Sequence, residues 1–156
     1  MARPEQEQVE RAIGALGLGD RLVAMADPEA ERVYRSIEDP FANMRGGRWI
    51  WEHFRVPYVS KTFGDERAFA RLPRIVPEAA GPLTFFPGSD GDRICAYTGD
   101  LEAVVQVLGE CPAFEYLIVP PGLEWLVGEN HHGVLYAVGE PVATRLRSIP
   151  SVAPPA

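Results

Sequence analysis

The sequence predicts an α+β domain, with N-terminal helices packed on one face of a mostly antiparallel sheet that carries one inserted helix. Three observations predict it. Apolar residues recur at helical spacing through the first forty positions. From Arg48 onward the period shortens to two, or gives way to short unbroken apolar runs. Those runs are joined by short turn-rich connections. The strict strand–helix alternation of a dinucleotide-binding fold is absent.

Val9, Ile13 and Leu16 mark the first helix, and Leu16-Gly17-Leu18-Gly19 ends it. Asp27-Pro28-Glu29 starts the second, because Asp accepts from free N–H groups and Pro fits the first turn. Its stripe is Ala30, Val33, Tyr34 and Ile37, closed by Asp39-Pro40. The aromatic run 48–54 reads as a strand. Asp65 caps a short helix carrying Phe69 and Leu72, which Pro73 limits. Segments 82–86 and 93–98 flank the turn-prone Pro87-Gly88-Ser89-Asp90-Gly91-Asp92 and form a hairpin. Asp100 caps the inserted helix, with Leu101, Val104, Val105 and Leu108 on one side. Segments 114–119, 123–127 and 134–138 are the last three strands. Within them Trp125, Val127, Val134 and Tyr136 are expected to be buried. Residues 1–147 form a single domain and 148–156 a flexible proline-rich tail.

The 156 residues are enough to close a core, and 46% of them are hydrophobic. No apolar run reaches the length of a membrane span, and the charged N-terminus does not read as a secretory signal, so a cytoplasmic protein is expected. Cys95 and Cys111 are too few for a disulfide framework and read as small apolar side chains.

Charge is unevenly placed. Residues 1–75 carry 12 basic and 12 acidic side chains, which cancel; residues 76–144 carry ten acidic ones and a single Arg93, a net of −9. Such a segment repels a phosphate backbone, so nucleic acid is not the expected partner. A basic protein is, and Glu102, Glu124 and Glu129 are the carboxylates expected to meet it.

Glu129-Asn130-His131-His132-Gly133 has the composition of a metal or general-base site, with His53 the sole further histidine to complete it. The simpler reading is a tight turn in which Asn130 shapes the backbone. There is no HExxH and no Cys–His spacing, so neither a metal nor another cofactor is expected. Asp90 and Asp92 do not make an EF-hand, because the twelfth position counted from Asp90 is Leu101. Trp49, Trp51 and Tyr58, amid Arg45, Arg48 and Arg55, read either as core or as an aromatic binding surface; with Trp125 they form a third alternative, a ligand pocket.

The stretch Phe114–Gly139 resembles the C-terminal signature of a family of uncharacterised bacterial proteins. That signature joins an aromatic strand beginning Glu-Tyr, a Leu-x-Trp-Leu strand and a Glu-Asn-His-His turn, here Glu115-Tyr116, Leu123 to Leu126 and Glu129 to His132. The resemblance implies no established activity. By analogy, small acidic bacterial α+β domains of this kind bind other proteins, immunity proteins that neutralise toxins among them. A non-enzymatic binding domain is therefore the leading expectation, ahead of a small metal-binding or hydrolytic enzyme.

Overall fold

The computed structural model describes residues 4–41, 54, 56–88 and 94–150. Within them five α-helices surround one antiparallel sheet. Helix α1 (Pro4–Leu16) leads to β1 (Leu22–Ala24), then α2 (Asp27–Phe41) and β2 (Tyr58–Lys61). Short helical turns, including α3 (Leu72–Ile75), precede β3 (Leu83–Pro87) and β4 (Tyr97–Gly99). Helix α4 (Leu101–Glu110) is the inserted one, followed by β5 (Tyr116–Val119), β6 (Leu126–Glu129), β7 (Leu135–Val138) and α5 (Val142–Ser148). The strand order is β1-β4-β3-β5-β6-β7-β2 and every pairing is antiparallel.

The fold class is the expected one, with more layers than a single covered face. One core holds Val9 and Ile13 of α1, Leu72 of α3, Val104 and Val107 of α4 and Leu146 of α5 against Phe85, Ile118, Val127 and Ala137. A second core holds Ala30, Tyr34, Ile37 and Phe41 of α2 against Phe86, Leu117, Leu126, Tyr136 and Val138. Successive residues of a strand point to opposite faces, so α1 and α2 lie on opposite sides of the sheet. The physical reason is already in the strands. Every residue of β3, β5 and β7 is buried, and an unbroken apolar run needs cover on both sides, where a one-sided sheet alternates. Each fully buried Leu, Ile or Phe adds roughly 1.5–3 kcal/mol, so both layers contribute to holding the sheet.

Helix α1 ends as its glycines imply, with the Leu18 N–H bonded to the Ile13 carbonyl at 3.0 Å. Helix α2 runs one residue beyond Pro40 to bury Phe41. Asp100 caps α4, accepting from the Ala103 N–H at 2.9 Å. Asp65 does not cap a helix; it accepts from the Arg67 N–H at 3.0 Å and pairs with Arg71 at 2.7 Å. At the C-terminal end Ser148 closes α5, Ile149 is 4% exposed, and the Lys61 ammonium binds the carbonyls of Arg147 and Ile149; residues 151–156 of the expected tail lie outside the described residues. Of the strand expected over 48–54, all but Phe54 lies outside the described residues, as does the hairpin tip 89–93. Trp125, Val127 and Tyr136 are buried as expected, and Val134 is half-buried.

Candidate functional site

The pairing register gives the sheet two ends with different chemistry. Leu22, Tyr58, Leu83, Gly99, Leu126 and Val138 lie at one end, and Ala24, Lys61, Pro87, Tyr116, Glu129 and Leu135 at the other.

The second end carries the β6–β7 turn, and its construction explains the histidines. Asn130 accepts on its side-chain oxygen from the N–H groups of His132 at 2.9 Å and Val134 at 3.1 Å, while its own N–H bonds the Val134 carbonyl at 3.0 Å. Gly133 supplies the left-handed corner with φ 75°. In this turn the two imidazoles lean on each other, with ring centroids 4.0 Å apart, so the opposite-face rule for strand neighbours does not govern them. The partner of His131 is Glu115, sixteen positions earlier. One Glu115 carboxylate oxygen accepts from the His131 backbone N–H at 2.9 Å and also meets the ring Nδ1. Glu115 is 8% exposed, and its other oxygen has no hydrogen-bond partner among the described residues.

Glu129 takes the opposite sheet face. It sits directly across from Tyr116 in the ladder, and burial pushes its carboxyl above the usual range, opposed by the Tyr116 hydroxyl. Burial, then the charge of Glu129, pushes the Tyr116 hydroxyl up; burial followed by the charge of Glu115 does the same for Tyr136. Gly128 makes this crowding possible, because a Cβ there would lie 2.5 Å from the Tyr136 hydroxyl and 2.6 Å from the Tyr116 carbonyl. Glu129, His131 and His132 therefore do not converge. Among the described residues no three His, Cys, Asp or Glu side chains are placed to hold a metal ion. His53 lies outside the described residues.

The first end collects carboxylates at the surface. Four of the connections at that end carry acidic residues: Glu78 before β3, Asp100 and Glu102 at the start of α4, Glu124 before β6 and Glu140 after β7. Arg21, just before β1, pairs with Asp100 at 2.8 Å and Glu102 at 3.6 Å. A bidentate hydrogen bond from Arg21 is the main reason the Asp100 carboxyl falls below its ordinary range, with the Ala103 N–H adding to it. Thr144 lowers the Glu140 carboxyl too, first through its side-chain hydroxyl and then through its N–H, from which Glu140 accepts at 3.2 Å. Glu78 and Glu124 are exposed and form no ion pair among the described residues.

The candidates thus separate. Glu102 and Glu124 share the acidic end; Glu129 is at the other end and half-buried. Tyr58 is 50% exposed on the edge strand β2, whereas Trp125 is 3% exposed within the core, so these two do not line one pocket. Trp49 and Trp51 fall outside the described residues. Cys95 is buried and Cys111 half-buried, and burial pushes the Cys111 thiol up, away from reactivity. Sequence reasoning missed Glu115; an acidic residue opening an otherwise apolar strand was its one signal. Glu78 and Glu140 were equally unremarkable in the sequence, because shared position at a sheet end is a property of register.

Fold and site together define a class: an antiparallel-sheet α+β domain, helices on both faces, with exposed carboxylates gathered at one end. The chain belongs to the family of unknown function DUF6756, whose model matches residues 5–150. The match extends through the N-terminal half as well as the segment 114–139 that carried the resemblance. No curated protein and no solved structure matches the chain. No helix among the described residues is long and apolar enough to cross a membrane.

Proposed function

We propose that this is a non-enzymatic protein-binding domain of the cytoplasm, of the immunity or regulatory kind, whose acidic sheet end meets a basic surface of its partner. The observation that carries the reading is the convergence of Glu78, Asp100, Glu102, Glu124 and Glu140 on one end, with Arg21 paired to two of them. Carboxylates on rigid connections concentrate a negative field, and such a field steers a cationic partner and speeds encounter. The enzymatic reading has less support, since its acid and its imidazoles stand on different faces.

A photo-crosslinking residue placed in producing cells at Pro121, at the acidic end, or at His132, at the opposite end, tests this. Adducts are expected from position 121, and their loss is expected in high salt and in a Glu78→Lys/Glu124→Lys variant. Adducts from position 132 alone, or none from either, contradict the proposal.

A further inference from the structure

Strand β1 closes the sheet on one side and pairs with β4 alone among the described strands. Leu22-Val23-Ala24 contains no Lys, Pro or inward charge, the devices that keep a strand edge from pairing. Val23 is 52% exposed, and Ala24 is exposed on the other sheet face, so the edge lies open from both sides.

The backbone of this segment is half used. The Met25 N–H bonds the Ala96 carbonyl at 2.8 Å, and the Arg21 carbonyl accepts from the Asp100 N–H at 3.4 Å. With the register of β1 on β4, residues 21, 23 and 25 therefore turn their polar groups inward, and Leu22, Ala24 and Ala26 turn theirs outward. The Leu22 N–H is taken by the Leu18 carbonyl at 3.0 Å, and the Ala26 carbonyl by the Ala30 N–H at 2.9 Å. The Leu22 carbonyl, both groups of Ala24 and the Ala26 N–H have no protein partner among the described residues.

Those four groups complement themselves. An antiparallel copy related by a twofold axis at Ala24 sets Ala24 against Ala24, Leu22 against Ala26 and Val23 against Met25. Each Ala24 N–H then donates to the Ala24 carbonyl of the other copy, and each Ala26 N–H to its Leu22 carbonyl. The exposed Val23 meets Met25, which is half-buried at the margin of the second core. The next pair outward opposes Arg21 to the exposed Asp27, cation to anion, on both sides of the axis. With the axis at Val23 instead, the Ala24 carbonyl would meet a Leu22 N–H that is already bonded, and Arg21 would face Met25. We infer that β1 is the interface of a homodimer, in which two copies pair edge to edge and the antiparallel sheet runs on from one to the other.

Sedimentation velocity of the full chain, from about 10 µM to about 1 mM, reads the association; a contact this small sets an expected Kd on the order of 100 µM. Amide exchange by NMR reads the register. The Val23 and Met25 amides, bonded to β4, are expected to exchange slowly at every concentration, while those of Ala24 and Ala26 slow only as the dimer fills. Ala24→Pro, which removes an N–H that β4 does not use, is expected to leave the chain monomeric, and Val23→Lys to weaken the dimer roughly tenfold. Circular dichroism verifies the folding of both variants, and Val23→Lys, at an exposed position, carries the test should Ala24→Pro not fold. A chain still monomeric at about 1 mM overturns the inference. So does a dimer whose Ala24 and Ala26 amides exchange as in the monomer, or one as strong in Val23→Lys as in the native chain.

Discussion

The two ends of the sheet each carry glutamates, and they use them in opposite ways. At the β6–β7 turn Glu115 and Glu129 are drawn into the protein, one holding His131 and the other facing Tyr116. At the opposite end Glu78, Glu102 and Glu124 stay in water. A carboxylate in the first setting gives up hydration and needs partners; one in the second keeps its hydration and projects a field. The same residue type thus serves architecture at one end and is available for recognition at the other. Net charge summed along a segment cannot separate these uses.

Substitutions sharpen that contrast. Trp125→Ala should have the largest effect, about 3–5 kcal/mol by denaturant unfolding, because it empties a buried position of the first core. Glu115→Ala follows at about 2–3 kcal/mol, since the part-buried His131 N–H loses its acceptor and the buried Glu115 side chain leaves a void; a loss under about 0.5 kcal/mol would place Glu115 among the solvated carboxylates. Asp100→Ala should cost about 1 kcal/mol as the α4 cap and the Arg21 pair go together.

Glu129→Gln should stabilise the fold at neutral pH. Burial raises the folded-state carboxyl above its unfolded value, so the native chain holds its proton more tightly. Stability from this group is full below the unfolded value and is lost as pH rises through the folded one. The variant's advantage should therefore shrink as pH falls into the ordinary carboxylate range, which melting curves across pH will report. The smallest effect belongs to Glu78→Lys/Glu124→Lys, expected within about 0.5 kcal/mol of the parent.

The fold was largely legible because periodicity reports burial. The stripe Ala30, Tyr34, Ile37 and the runs of β5 and β7 announced their elements. Helix α5 was not seen, because its apolar positions Val142, Ala143 and Leu146 sit between Pro141 and a proline-rich end that suggested a tail. The opposite placement of α1 and α2 was hidden, since either helix alone fits either face. At the candidate site the Asn130 turn was readable from its composition, whereas the Glu115–His131 contact was not, because it spans strands paired by register. The acidic end was half visible: the charge imbalance lay in the sequence, and its location came from which connections lie at that end of the sheet.

Paramagnetic broadening by a spin-labelled tetralysine peptide tests the asymmetry most directly, since it reads local potential at every amide without needing the natural partner. At low salt, broadening should concentrate on residues 78–82, 100–102, 121–124 and 139–141, leave 130–134 sharp, and fade as salt is added. Broadening centred on the β6–β7 turn, or spread evenly over the surface, would contradict the account.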